Sequence, residues 1–240
     1  MMNMTTHIIP AAANAPMLKY FESQGFNELY IDQESVANQL FGANSHQRLG
    51  LGIYADYLRC LRMTTQADLF ADTSFGQPDS IASTASRLAQ AGANNLLISD
   101  STNSSKQSTP ILLSEDAYTE KLAAAQTALA ETNTTAIANL TGFSEYGLAG
   151  LQSRIEAAHS AGITKIVISN ISSKDISIIG AIMVPNQEIG LALDNAKMTF
   201  GNTQRISPAF ILDTYHPKQA AQKCTQATGS SYVLQLYMEN

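Results

Sequence analysis

The sequence predicts an α/β fold, a (β/α)8 TIM barrel formed by residues 1–240 as one domain. Three observations predict it. Short apolar runs alternate along the chain with amphipathic segments of about ten residues or more. The apolar runs carry few charges, which is typical of parallel strands that are buried on both sides. Six clear strand–helix units and two weaker ones follow one another, as a barrel of this type requires.

The first half of the chain contains four predicted strands separated by helices. The strands are brief apolar runs at 7–10, 27–32, 67–72 and 94–100. The helices place apolar side chains at helical spacing at 15–26, 35–42, 53–65 and 79–93. Gly25 and Gly92 stand where a left-handed residue would end a helix, and Asp79 or Ser80 can cap the last of these helices.

The second half continues the alternation less regularly. Ser114 can cap an Ala-rich helix at 114–132, and a further helix is predicted at 147–162. Strands are predicted at 134–140, 164–170, 178–185, 209–213 and 231–238. A weak helical pattern covers 217–227. The polar segment 100–110 lies between a strand and the next helix, so in a barrel it is a loop of the active face.

A doubly wound open sheet is the alternative to the barrel. Such a sheet usually carries a glycine-rich phosphate loop after its first strand. The corresponding residues here read "HIIPAAANAP" and contain no glycine. The barrel is therefore the favoured fold.

Composition and charge exclude several classes of partner. The net charge is −6 and charged residues make up only 14% of the chain, with no basic run. Nucleic acids and anionic membrane surfaces both require a basic footprint, so neither is an expected partner. No apolar run approaches the roughly 18 to 20 residues needed to span a bilayer. Cys60 and Cys224 form neither a disulfide framework nor a zinc pattern, and the N-terminus does not resemble a signal peptide. We expect a soluble, cytoplasmic protein.

Polar residues at the ends of the predicted strands are the candidates for chemistry, because a barrel forms its site at the carboxyl ends of its strands. These ends supply Asp32, Asp72, Ser99, Asp100, Asn139, Ser169 and Asn170. Converging carboxylates could bind Mg²⁺, which prefers oxygen ligands. The alternative is that Asp, Asn and Ser occur here because they cap helices and form turns.

Common catalytic motifs are absent from the sequence. His7, His46, His159 and His216 are far apart, and none has a ligand-type partner at the spacing of one helical turn. There is no G-x-S-x-G, H-E-x-x-H, GK[ST] or C-x-x-C. Serine-hydrolase, zinc-protease, P-loop and dithiol chemistry therefore have no support.

The order of several segments is similar to that of a known family. A first strand and a helix ending "EAGF" correspond to "PAAANAPMLKYFESQGFNELYID", and "DADTGYG" corresponds to "FADTSFG". The following "R…AGA…IED" matches "SRLAQAGANNLLISD", the helix "K(I/L)RAA" matches "EKLAAAQ", and "IAR" matches "IAN". A last helix and strand match "SRIEAAHSAGITKIVISN". Over roughly residues 8–175 the chain resembles the phosphoenolpyruvate mutase/isocitrate lyase superfamily, whereas 175–240 match poorly.

This resemblance implies a barrel, a homo-oligomer, and a Mg²⁺ ion that holds a small 2-oxo acid while a C–C or P–C bond is made or broken. Asp72 corresponds to the second carboxylate of the family's metal-binding pair, but Phe70 replaces the first. Asp100 is kept. Asp32 stands where a serine is expected and would be a compensating ligand, so Asp32, Asp72 and Asp100 are the predicted metal ligands.

Further departures remove charge from the predicted site. Ser99 and Ser169 replace glutamates of the family, and Asn139 replaces an arginine. Neutral side chains do not replace the Coulomb attraction of carboxylates for a metal, or of arginine for a carboxylate. Of the family's Lys-Cys-Gly loop only Lys106 is kept.

Two functions remain open at this point. In the first, a divergent lyase acts on a small 2-oxo acid or a related carboxylate. Asp72, Ser99, Asn139 and Ser169 would then form the catalytic site, with Mg²⁺ as cofactor. In the second, the barrel has lost catalysis and serves as a binding or structural subunit.

Overall fold

The computed structural model describes residues 6–42, 48–75, 80–102, 111–182 and 188–220. Its strands, in chain order, are β1 (His7–Pro10), β2 (Glu28–Ile31), β3 (Asp68–Asp72), β4 (Asn95–Ser99), β5 (Ser101–Thr102), β6 (Ile111–Leu112), β7 (Thr135–Leu140), β8 (Lys165–Ile168), β9 (Glu188–Leu193) and β10 (Phe210–Asp213). β5 and β6 pair antiparallel with each other. The other eight strands form one parallel sheet in the order β1-β10-β9-β8-β7-β4-β3-β2.

The two ends of this sheet meet and make a nearly closed barrel. Ala11, just after β1, forms a parallel bridge with Tyr30 of β2. The backbone N–H of Ala12 donates to the carbonyl of Tyr30 at 2.8 Å. The predicted (β/α)8 fold class is therefore confirmed.

Helices fill the connections between the barrel strands. They are α1 (Ala15–Ser23), α2 (Gln33–Phe41), α3 (Leu51–Arg62), α4 (Ile81–Gln90), α5 (Glu115–Leu129), α6 (Phe143–Ser160), α7 (Ile176–Gly180) and α8 (Phe200–Thr203), and residues 215–220 are also helical. Ser114 caps α5 as predicted, accepting from the N–H of Ala117 at 3.2 Å. Gly25 and Gly92 follow α1 and α4 with φ of 90° and 99°, a conformation that glycine adopts without strain. The predicted cap Asp79 lies outside the described residues.

The core has two layers, because alternate strand residues face opposite sides of the sheet. The larger layer lies between the sheet and the helices. The smaller fills the barrel interior with side chains that include Tyr30, Phe70, Leu97, Ile137 and Leu212. The barrel is therefore a packed core, and a pocket can open only where the strands end.

The prediction failed in one part of the second half. A strand was predicted at 178–185, but Ile176–Gly180 form helix α7, and the strand that completes the barrel here is β9, Glu188–Leu193. A short apolar run does not distinguish a buried strand from a buried helix. The predicted strand at 209–213 is confirmed by β10. The predicted strand at 231–238 and the end of the helix at 217–227 lie outside the described residues.

None of the helices in the described part of the chain combines the length and the apolar character needed to cross a membrane.

Candidate functional site

A pocket of about 370 Å³ opens at the carboxyl ends of the barrel strands. Six of the seven candidate residues line it, namely Asp32, Asp72, Ser99, Asn139, Ser169 and Asn170. They follow five different strands, and parallel strands bring their carboxyl ends together at one face. The side chains of Tyr30 and Leu97, from the barrel interior, also line this pocket.

A wider groove of about 550 Å³ lies at the opposite, amino-terminal end of the barrel. Its one described arginine, Arg62, donates to the carbonyls of Thr65 and Ala67 and to the side chain of Asn94. These contacts tie loops together and leave the guanidinium little capacity for a ligand. The smaller pocket is therefore the candidate functional site.

Asp72 lies at the end of β3 and is held by neutral donors. The hydroxyl of Tyr30 donates to Oδ2 at 3.1 Å, and the N–H and hydroxyl of Ser74 donate to Oδ1 at 3.2 and 2.5 Å. Burial raises the pKa of the Asp72 carboxyl, and the charge of Asp32 adds to this, although the hydrogen bonds from Ser74 and Tyr30 act in the opposite direction. A partly buried carboxylate with a raised pKa in a pocket is a common feature of functional sites.

Asp32 caps helix α2 and also contacts a lysine. Its Oδ2 accepts from the N–H of Ser35 at 2.8 Å and from the Ser35 hydroxyl at 2.6 Å. The Nζ of Lys218 lies 3.4 Å from the same oxygen and 2.8 Å from the carboxylate of Glu34. Lys218 lines the pocket and comes from the helical segment that follows β10. Lys218 was not among the site residues predicted from the sequence.

Asn139 and the serines supply hydrogen-bonding groups without charge. The hydroxyl of Ser169 donates to Oδ1 of Asn139 at 2.6 Å, so the Nδ2 of this amide remains to donate in another direction. The hydroxyls of Ser99 and Ser101 lie 2.8 Å apart. In the positions where the family carries glutamates and an arginine, this pocket therefore offers neutral polar atoms.

Asp194 is a pocket carboxylate that was not among the predicted site residues. It follows β9, the strand that was not predicted, and it lines the pocket. Its oxygens accept from the N–H of Asn170 at 2.8 Å and from the side chain of Asn195 at 2.5 Å. Burial raises its pKa, against the effect of these hydrogen bonds. The apolar run "EIGLAL" followed by an aspartate has the same pattern as "DLFAD" and would have revealed it.

Asp100, the remaining candidate residue, does not line the pocket. It is fully buried and accepts hydrogen bonds from the N–H and hydroxyl of Thr141, at 2.9 and 2.6 Å, and from the hydroxyl of Tyr146 at 3.1 Å. Its side chain therefore joins the end of β4 to helix α6. Asp100, Lys121, Tyr146 and Arg154 are called here the polar cluster behind β4.

Lys121 belongs to this cluster and lies under the pocket wall. Its Nζ donates to the backbone carbonyls of Ser99 at 2.7 Å and Ser101 at 3.3 Å. Burial lowers its pKa to about 8, although the charges of Asp100 and Asp72 act in the opposite direction. Its ammonium group binds the end of β4 and the start of β5, and it does not line the pocket.

The pocket residues do not fit the Mg²⁺ ion that the family resemblance implies. No group of three or more His, Cys, Asp or Glu side chains in the described ranges is arranged to hold a metal. Asp100 lies outside the pocket, and the oxygen of Asp32 that caps α2 is next to the ammonium group of Lys218. Phe70, in the place of the family's first carboxylate, is 1% exposed and packs in the barrel interior. No chemical step is therefore assigned to a metal.

Known structures with the same architecture support the family resemblance. This chain is similar to 2,3-dimethylmalate lyase, described as a phosphoenolpyruvate mutase/isocitrate lyase superfamily member, with a TM-score of 0.76 and 16% sequence identity over 93% of this chain and 81% of that chain. It is also similar to phosphoenolpyruvate phosphomutase from Streptomyces platensis subsp. rosaceus, with a TM-score of 0.79 and 18% identity over 96% and 84% of the two chains. This chain has the fold of the phosphoenolpyruvate mutase/isocitrate lyase superfamily.

A third structure of this superfamily fold extends the comparison. Oxaloacetate acetylhydrolase in complex with 3,3-difluorooxalacetate matches with a TM-score of 0.79 and 17% identity over 96% of this chain and 83% of that chain. No protein-family model and no curated protein matches the sequence. The structural matches thus confirm the fold that the order of segments predicted. The catalytic roles of Asp72, Ser99, Asn139 and Ser169 stay predictions.

Proposed function

We propose that this barrel binds a small polar ligand, uncharged or positively charged, in the pocket at its carboxyl ends, and that it does not carry out a metal-dependent lyase reaction. One observation carries this proposal. The pocket combines the carboxylates of Asp32, Asp72 and Asp194 with a single described lysine, Lys218, which is already paired. The ionised pocket is therefore negative.

The charge of the pocket works against a small carboxylate as ligand. A ligand carboxylate about 4 Å from a pocket carboxylate is repelled by roughly 4 kcal/mol at an effective dielectric constant near 20. In the family a metal ion and an arginine offset this cost. In this chain Phe70 stands in the place of a metal-binding carboxylate, and Asn139 stands in the place of the arginine. A ligand with hydroxyl, amide or ammonium groups meets acceptors at Asp72 and Asp194 and a donor at the Nδ2 of Asn139.

The test is a comparison of small ligands with wild-type protein and two variants. Ethanolamine, erythritol and glycinamide represent the favoured class, and oxalate or pyruvate with Mg²⁺ represents the family's class. We expect a member of the first group to raise the melting temperature and to lose this effect in Asp72→Asn. The control Asp116→Asn, on the exposed start of α5, should respond like wild type. Stabilisation by oxalate with Mg²⁺, and by none of the first group, would reject the proposal.

Lyase-type chemistry on a small 2-oxo acid or a related carboxylate is the second candidate, and Asp72 is the observation that favours it. The raised pKa of this partly buried carboxyl suits a group that holds or accepts a proton in a pocket. Ser99, Asn139 and Ser169 would then hydrogen-bond the substrate. Pyruvate release from 2-methylmalate-type acids, present in wild type and lost in Asp72→Asn, would establish this candidate.

Homo-oligomer formation is a further proposal that rests on the family resemblance alone. Analytical ultracentrifugation of the full chain tests it, and a monomer at all concentrations would reject it.

A further inference from the structure

Lys218 is the one positively charged side chain that the described residues place in the pocket lining. It reaches the pocket from the helical segment 215–220, and its side chain is 26% exposed. Its Nζ contacts Asp32 at 3.4 Å and Glu34 at 2.8 Å. Two carboxylates within ion-pair distance hold this side chain as an ammonium ion.

The position of this ammonium ion decides what else can approach Asp32. The oxygen that Lys218 contacts is the same Oδ2 that caps α2 through Ser35. Asp72 lines the same pocket and is the other predicted ligand described there. A divalent cation shared by Asp32 and Asp72 would lie close to the ammonium ion, and two positive charges repel strongly at that separation.

We propose that Lys218 is a built-in cation that occupies the place of a metal at the mouth of this barrel and thereby excludes divalent ions from Asp32 and Asp72. The inference does not depend on which ligand the pocket takes. On this proposal Lys218 determines which ligands the pocket admits. An ion pair that only joined the segment 215–220 to α2 would have no such effect. Removing the ammonium group should leave two carboxylates and pocket water, which is enough for weak, millimolar binding of Mg²⁺ or Mn²⁺.

The experiment measures Mn²⁺ binding by the full chain, from the loss of the electron paramagnetic resonance signal of free Mn²⁺. We expect Lys218→Met to bind Mn²⁺ at least about tenfold more tightly than wild type, a difference of about 1.4 kcal/mol. Lys174→Met is the matched control, because Lys174 is exposed and lies in the loop after β8 at the same end of the barrel. It should behave as wild type.

Two further variants make the result decisive. Adding Asp32→Asn to Lys218→Met should abolish the gain, because it removes a proposed ligand. Lys218→Gln also lacks the charge and replaces Lys218→Met if circular dichroism shows that the latter does not fold. Equal Mn²⁺ affinity of wild type and the charge-free variant would overturn the proposal, and so would a gain that survives Asp32→Asn.

Discussion

Asp72 and Asp100 end neighbouring strands of the same barrel, yet they belong to different environments. Asp72 faces the pocket and is held by donors that also line it, Tyr30 and Ser74. Asp100 is fully buried in the polar cluster behind β4, with its hydrogen bonds directed to Thr141 and Tyr146. The difference arises from the alternation of side chains along each strand.

The side of the sheet that a strand-end residue faces therefore matters more than its residue type. Phe70 faces the barrel interior, so Asp72, two residues later, continues on that side. Leu97 also faces the interior, so Ser99 reaches the pocket and Asp100 turns toward the helices. A carboxylate in the pocket can contact a ligand, whereas one in the polar cluster behind β4 makes hydrogen bonds within the fold.

The largest effect is expected for Asp100→Ala. It leaves the N–H and hydroxyl of Thr141 and the hydroxyl of Tyr146 without their acceptor in a buried place, at a cost of about 3 kcal/mol in the free energy of unfolding. Urea unfolding measures it, with Asp116→Ala on the exposed surface as a control that should change stability by less than about 0.5 kcal/mol. A loss of unfolding free energy no larger than that of the control would show that the hydrogen bonds of Asp100 do not stabilise the fold.

Lys121→Met should change how stability depends on pH. The pKa of Lys121 is lowered from 10.5 to about 8 in the folded protein, so the unfolded chain binds more protons between these values. Wild type should therefore gain about 2 kcal/mol relative to the variant as pH rises from 8 to 10.5. The difference between the two urea-unfolding curves across this range is the measurement. If the free energies of unfolding of wild type and variant changed in parallel with pH, Lys121 would not have the lowered pKa that its burial implies.

Asp72→Ala should have a much smaller effect than Asp100→Ala, within about 1 kcal/mol at neutral pH, because its partners reach the pocket water and a desolvated charge is removed. The raised pKa sets the sign of the pH dependence. The folded state binds the proton more tightly, so wild type should gain stability relative to the variant as pH falls toward 3.8, the ordinary value. A loss at neutral pH as large as that of Asp100→Ala would remove the contrast between the two aspartates.

The sequence allowed the barrel and most of its candidate site to be predicted for identifiable reasons. Strands such as "DLFAD" and "NLLIS" are short apolar runs between amphipathic helices, and parallel strands must bring their carboxyl ends together. β9 was missed because the apolar run at 178–185 gave a competing pattern, and Asp194 was missed with it. Lys218 could not be predicted, because its position depends on how the last described helix packs across the pocket.

The most direct test of the proposed exclusion of metal ions is a crystal of the full chain soaked with Mn²⁺ and oxalate and measured at the manganese absorption edge. We expect no anomalous peak between Asp32 and Asp72, and an ammonium group of Lys218 that stays next to Asp32. An anomalous peak at coordination distance from both carboxylates, about 2.1 Å as expected for an ion of the Mg²⁺ type, would contradict it.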